Sequence, residues 1–210
     1  MIVTEIKKIG RGDRYSLYLN GSYVCALEAE TLAKRKLKTG DELSGEELEQ
    51  LRLESGDLAS FDRALTYLEK GMKTEKGIRD YLLSKGYLEE SVDNAVEKLK
   101  EYGYINDEAY AESYIKTYSS SKGAKRIKYD LISKGVDKNL IDEKLDQLLL
   151  EEDELETCEK ICKKYLKGKV FDQKTKQKLF AHLTGKGFGV DIILKVTRQI
   201  DLEMEDESRD

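Results

Sequence analysis

Three stretches of one pattern recur along this chain: Leu82-Leu83-Ser84-Lys85-Gly86, Leu131-Ile132-Ser133-Lys134-Gly135 and Leu183-Thr184-Gly185-Lys186-Gly187. Their final glycines stand 49 and 52 positions apart. Each stretch reads as the end of a helix. Apolar residues supply a buried face, a Lys suits the negative helix end, and a Gly takes the left-handed conformation that closes the last turn. One such match carries little weight, whereas three in register define tandem repeats.

Helical spacing fills the intervals between these marks. Leu58, Phe61, Leu65 and Leu68 form one stripe, ended at Gly71; Ile78, Tyr81 and Leu82 mark a second helix; Val92, Ala95, Val96, Leu99 and Tyr102 mark a third, stopped at Gly103. The trio returns as Tyr110, Tyr114 and Tyr118, then Ile127 and Leu131, then Ile141, Leu145 and Leu148. It returns again as Leu155, Cys158, Cys162 and Tyr165, then Leu179 and Leu183, then Ile193, Val196 and Ile200. Each helix alone is too short to be stable in water, so the three of a unit must pack together. The expected division is three-helix repeats over 56–105, 106–150 and 151–202, followed by an acidic tail over 203–210.

The first 55 residues read differently. Arg14–Leu19 and Ser22–Leu27 are strand-like runs flanking Asn20-Gly21, the strongest short-range hairpin signal because both positions accept positive φ. Ile2–Ile9 supplies a third strand, Ala29–Lys38 a short helix stopped by Gly40, and Ser44-Gly45-Glu46-Glu47 has the form of a capping box opening another helix. Gly10-Arg11-Gly12-Asp13 lacks the Lys-Ser/Thr ending and following helix of a nucleotide-binding loop, and reads as a turn between strands. The predicted fold is therefore mainly α, with tandem three-helix repeats preceded over 1–55 by a small α+β module containing a β-hairpin.

Composition agrees. Hydrophobic residues are 39 % and charged residues 38 %, a balance that suits thin, elongated helical modules better than one thick globule. Proline is absent, so no proline kink interrupts a helix. No apolar run approaches the roughly 18 residues needed to span a bilayer, and the alternating N-terminus lacks the core of a signal peptide. Three cysteines, Cys25, Cys158 and Cys162, form no framework spacing. Together these features predict a cytoplasmic protein with no membrane association. The formal net charge of −5 is unevenly placed. Six acids against Arg209 in 201–210 account for all of it, leaving 1–200 formally neutral. Within 116–138, Lys116, Lys122, Lys125, Arg126, Lys128, Lys134 and Lys138 face only Asp130 and Asp137, and the stretch from Asp142 to Glu159 is strongly acidic.

No motif for chemistry emerges. Cys158 and Cys162 share a helix face with an apolar stripe and read as core, since no second Cys pair or His accompanies them. His182, the single histidine, cannot form a multi-histidine site. Tyr102, Tyr104, Tyr110, Tyr114 and Tyr118 read mainly as packing residues, with Tyr118 the best candidate for an exposed ring able to stack on a base. Glu151-Glu152-Asp153-Glu154 reads as negative charge at the start of a helix. The expectation is a protein that is not an enzyme and needs neither cofactor nor metal.

Several separated segments carry a resemblance. Ala64-Leu65-Thr66-Tyr67-Leu68, Tyr81-Leu82-Leu83-Ser84-Lys85-Gly86-Tyr87 and Leu99-Lys100-Glu101-Tyr102-Gly103-Tyr104-Ile105-Asn106-Asp107-Glu108-Ala109-Tyr110-Ala111 closely resemble the RecX regulatory proteins. Lys122-Gly123-Ala124-Lys125-Arg126-Ile127 and Leu131-Ile132-Ser133-Lys134-Gly135-Val136 continue the match in order. The resemblance covers roughly 58–200 and is weaker in the third unit. It implies an elongated, curved array that binds the RecA–DNA filament as a monomer and modulates, usually inhibits, its ATPase, recombinase and coprotease activities. It also makes the basic stretch Lys116, Lys122, Lys125, Arg126 and Lys128 the expected contact surface for the RecA filament or, weakly, for DNA. Arg63, Lys73, Lys76 and Arg79 of the first repeat are further candidates for that surface. The alternative is a stand-alone DNA-binding protein whose three-helix units act like helix-turn-helix modules. The acidic balance of the chain departs from the markedly basic character of many members and argues against it, and the N-terminal module lies outside the common repeat core.

Overall fold

A computed structural model describes residues 1–207, with side chains described through Leu202. The acidic side chains expected in the tail over 203–210 lie outside the described residues. The chain divides into two compact units, Met1–Asn106 and the part from Asp107 onward.

The first unit opens with a three-stranded antiparallel sheet in the order β1 (Val3–Lys8), β2 (Arg14–Leu19) and β3 (Ser22–Glu28). Asn20 and Gly21 both take positive φ, 48° and 81°, which is the turn whose twist matches the flanking strands. Gly10-Arg11-Gly12-Asp13 forms the turn between β1 and β2, with Gly10 also left-handed. Val3, Leu17, Leu19 and Leu27 point to one face of the sheet and are buried against Leu43, Leu48 and Leu51. The following helix α1 (Ala29–Arg35) is shorter than the spacing predicts. Lys36 takes the left-handed conformation at φ 52°, and the Leu37 N–H donates to the Leu32 carbonyl at 3.2 Å. Leu37 thereby packs on the module core. Gly40 serves a later turn, where its N–H reaches the Val3 carbonyl at 2.8 Å.

The sequence reading places a boundary at 55/56, with one helix ending before it and another beginning after it. The structure instead has one continuous helix, α2 (Gly45–Leu68). Ser44 and Glu47 form the expected capping box at its start. Ser55 and Gly56, in the middle of this helix, both serve tertiary contacts. Ser55 Oγ accepts the Glu28 N–H at 2.7 Å, and a Cβ at Gly56 would lie 2.6 Å from Ser91 Oγ. Ser60 adds a buried hydrogen bond to the Ser91 carbonyl at 3.0 Å. The N-terminal half of α2 thus lines the module core and its C-terminal half, through Ala64, lines the first repeat. There it packs with α3 (Glu75–Ser84) and α4 (Glu89–Glu101) around Ile78, Leu82, Val92, Ala95, Val96, Leu99 and Ile105.

The second unit holds two further trios. Helices α5 (Asp107–Tyr118), α6 (Ala124–Ser133) and α7 (Lys138–Leu148) enclose Ala111, Ile115, Ile127, Leu131, Ile141 and Leu145. Helices α8 (Glu151–Leu166), α9 (Gln173–Lys186) and α10 (Val190–Glu207) enclose Leu179, Leu183, Phe188, Ile193, Val196 and Ile200. Cys158 and Cys162 are fully buried in this last core, and burial pushes their thiols up to about 12 and about 11. They are packing residues, as their place on the apolar stripe predicts.

The register marks close all three middle helices with the same pair of hydrogen bonds. Gly86, Gly135 and Gly187 have φ of 85°, 87° and 90°. Each donates its N–H to the carbonyl three residues back at 2.9 Å, while Tyr87, Val136 and Phe188 donate to Leu82, Leu131 and Leu183. Carbonyls that the helix end leaves open are satisfied, and the residue after each Gly turns back onto its own core. The fold is mainly α, with tandem three-helix repeats behind a small α+β module.

Candidate partner-binding surface

The basic stretch of the second repeat begins at the end of α5, crosses the Ser-rich loop and enters α6. The loop brings Lys122 back over α5, and the i, i+4 spacing on α6 puts Arg126 and Asp130 on one face. Three groups meet at Asp130: Lys122 Nζ at 2.7 Å, Arg126 Nε at 3.1 Å and the Tyr114 hydroxyl at 3.0 Å. Lys122 also donates to the Tyr114 hydroxyl at 3.1 Å and lies 4.1 Å from the centre of the Tyr118 ring. Burial works against both charges. Hydrogen bonds and opposite charge outweigh it, so Lys122 is held above its ordinary pKa and Asp130 below its own. Lys128 bonds to Asp142 on α7, and Lys116 lies 3.8 Å from Glu112. Lys125 is exposed and makes no salt bridge among the described residues.

The five cations are therefore not equivalent. Lys122 and Lys128 are tied into the fold. Lys116 sits in an exposed pair of the kind worth at most about 1 kcal/mol, so a partner's anion can displace Glu112 at little cost. Arg126 is half-exposed and shares Asp130 with Lys122. Lys125 is the cation most open to a partner.

Arg63, Lys73, Lys76 and Arg79 lie in the other unit and do not form one group. Arg79 bridges Glu75 at 2.9 Å and Asp93. Lys76 pairs with Asp80 one turn on, and Lys73 Nζ bonds the Gly71 carbonyl at 2.9 Å beneath the Tyr67 ring. Arg63 stands apart from these, beside the hydroxyls of Tyr87 and Tyr81, which favour its charge.

A second cationic group escapes the sequence reading. Lys160 and Lys164 on α8 and Lys186 on α9 gather with Ser120, Ser121 and His182 around a cleft of about 500 Å³. Burial and then the nearby charges of Lys186 and Lys169 hold His182 below its ordinary pKa. Lys160 pairs with Glu156 at 2.6 Å, whereas Lys164 and Lys186 have no carboxylate partner among the described residues. Three separate segments contribute, so no spacing in the sequence signals the cleft.

Other candidates sort by packing. Tyr110, Tyr114 and Tyr118 run up α5 as a ladder, with the last two ring centres 4.3 Å apart. Tyr110 and Tyr114 are half-buried on the core, and Tyr118 is exposed, as expected. Tyr102 and Tyr104 differ from the expectation of packing. They are 58 % and 56 % exposed because they flank the left-handed Gly103 that turns the chain out of α4. Glu151–Glu154 do occupy the first turn of α8. Glu154 does more, accepting the Ala124 N–H at 2.9 Å at the start of α6. Among the described residues there is no cluster of three or more His, Cys, Asp or Glu able to hold a metal ion, and no helix is long and apolar enough to cross a membrane.

These units match known proteins in the same order. The first, second and third three-helix domains of RecX match residues 61–99, 106–145 and 151–197. The Regulatory protein RecX of Clostridium beijerinckii is 36 % identical over 203 residues, covering 95 % of either chain. That of Clostridium perfringens strain 13 is 37 % identical, covering 90 % of either. A crystal structure of a regulatory protein RecX superposes with a TM-score of 0.68 at 28 % identity, over 94 % of this chain and 98 % of that one. RecX from Lactobacillus salivarius superposes at 0.63 with 30 % identity, over 70 % of this chain and 97 % of the other. Three domain matches in order and relatives above 30 % identity along nearly the whole chain lead to one conclusion: the chain belongs to the RecX family of regulatory proteins.

Proposed function

We propose that this chain regulates recombination and DNA repair in the cytoplasm by binding the RecA nucleoprotein filament and lowering its ATPase, recombinase and coprotease activities. The observation that carries the reading is the full-length likeness to proteins named as RecX regulators, domain by domain. The geometry supports a binding role. Three repeats in one chain give several separate contacts, and contacts in series yield avidity that no single repeat has. In this reading Lys125, Arg126 and Lys116 on the second repeat meet the filament, with Lys122 and Lys128 holding that surface in shape. The test is to add purified protein to RecA on single-stranded DNA and follow ATP hydrolysis and co-sedimentation. Slowed hydrolysis with protein in the pellet is expected. An unchanged rate together with an empty pellet would overturn the reading.

One observation favours a second reading, direct DNA binding: the cleft lined by Lys160, Lys164 and Lys186. Phosphate contacts there would make binding fall steeply with salt. A mobility-shift assay without RecA at two salt concentrations separates the two readings.

A further inference from the structure

Four cations from three elements face one cleft of about 400 Å³ in the first unit. Arg14 comes from β2, Arg52 and Arg63 from α2, and Lys85 from the closing turn of α3. Arg14 and Arg52 are anchored to Glu28 at 3.0 Å and Glu49 at 3.2 Å. Arg63 and Lys85 have no carboxylate partner among the described residues. The cleft therefore carries surplus positive charge in a chain that is acidic overall.

Two further features point to an anion. Helix α4 begins at the cleft with Leu88 at its N-cap, and no side chain caps it. Side chains cap α2, α3, α7 and α9, whereas α1, α6 and α8 start uncapped like α4; of these bare starts, that of α4 opens beside the four cations. A bare helix start offers N–H donors and a positive dipole end. Second, Ser91 in the first turn of α4 lines the cleft and is 1 % exposed, and its Oγ has no hydrogen-bond partner within the protein. Buried hydroxyls are normally paired, so an unpaired one beside surplus cations is a donor awaiting an acceptor. Gly56 leaves that hydroxyl its space, since a Cβ there would lie 2.6 Å away.

We propose that this cleft binds a phosphate group, with Arg63 and Lys85 as its cationic ligands and the start of α4 with Ser91 as its neutral donors. The fork of a guanidinium suits phosphate oxygens, and Gly86, with nothing within 4 Å of where a Cβ would stand, lets a ligand approach the backbone. The same chemistry is offered by a nucleic-acid phosphodiester and by free phosphate. The site gives the N-terminal module a role, since Arg14 brings the sheet to the cleft. It does not depend on the reading that RecA is the partner.

The test uses the full chain in two titrations, one with inorganic phosphate and one with an oligothymidylate lacking terminal phosphates, each followed by backbone amide shifts. Saturating shifts at Gly86, Leu88 and Ser91 are expected with at least one probe. The probe that binds more tightly identifies the source. Replacing both Arg63 and Lys85 by Gln should weaken that binding on the order of tenfold or more, since charge-assisted hydrogen bonds are lost. The single exposed substitution Lys85→Gln covers the case of a double variant that does not fold. Ser91→Ala should weaken binding while leaving the urea midpoint unchanged or higher, because its hydroxyl has no partner to lose. A merely structural serine would lower the midpoint and leave affinity alone. Two results overturn the proposal: no shift at these amides with either probe, or unchanged affinity in the Lys85→Gln and Ser91→Ala variants.

Discussion

Gly123 and Gly187 meet backbone to backbone. The Gly123 N–H donates to the Lys186 carbonyl at 3.0 Å, and the Lys125 N–H to the Gly187 carbonyl at 3.1 Å. The start of α6 is thus seated on the end of α9, so donors that a helix start leaves open meet acceptors that a helix end leaves open. A Cβ at Gly123 would lie 2.5 Å from the Gly187 carbonyl group, and one at Gly187 would lie 2.3 Å from Arg126. Gly123→Ala is expected to destabilise the second unit by about 1–3 kcal/mol through overpacking. Gly187→Ala adds the strain of its positive φ. Gly168→Ala carries a comparable positive-φ cost, at φ 73°, with nothing within 4 Å of its Cβ, so it should lose only about 1 kcal/mol. Urea denaturation of the three variants checks the order, and equal losses at 168 and 187 would show that the close approach does not matter.

Asp130 anchors Lys122, Arg126 and Tyr114 together, so Asp130→Asn should cost about 1–3 kcal/mol by leaving a partly buried ammonium poorly paired. The pH dependence has a definite sign. The pKa of Asp130 is lowered in the fold, so its contribution is present above the ordinary carboxylate value of about 3.9 and is lost as pH falls through the folded value. Thermal melts of the two proteins should converge in strong acid and stay apart at neutral pH.

Glu154 has the opposite sign. Burial outweighs its hydrogen bond to the Ala124 N–H, so its folded pKa is raised and the fold takes up a proton there. This carboxylate costs stability as pH rises through the window between its ordinary and raised values. Glu154→Gln keeps an acceptor for Ala124 and sheds the charge, so it should equal or exceed the parent in stability at pH 7, with the gap closing in acid. Glu154→Ala loses the acceptor and should cost about 1 kcal/mol at pH 7. Parallel melts from pH 4 to 8 would expose a wrong sign directly.

For partner binding, Lys125→Glu is the informative reversal. Its side chain is exposed and carries no salt bridge among the described residues, so circular dichroism should be unchanged while the concentration needed to slow RecA rises about fivefold or more. Lys122→Glu instead places two carboxylates at one site, and its loss of binding would be mixed with loss of fold. Full inhibition by the Lys125→Glu variant would move the contact surface away from α6.

Local signals are legible in the sequence. Asn20-Gly21, the Ser44–Glu47 capping box and the three Lys-Gly ends each act within five residues, and each forms as its chemistry requires. The continuity of α2 across 55/56 was not legible for an equally physical reason: Ser55 and Gly56 are fixed there by Glu28 and Ser91, residues far along the chain. The basic stretch was visible as composition, but its pairing was not. Lys122 reaches Asp130 only because a loop folds back, and Lys128 reaches Asp142 only because α7 packs on α6. The clefts around Arg63 and around Lys186 are assembled from segments that no spacing rule connects.

Helix α2 also bears on how separable the parts of this protein are. Its 24 residues are one rod, with Leu48 and Leu51 in the core of the sheet module and Ala64 in the core of the first repeat. Deleting the first 55 residues would do more than remove an appendage. It would replace the middle of a helix with a frayed end, beside the buried serine pair that joins α2 to α4. Sheet and first repeat are in this sense a single inheritance, grafted or lost together.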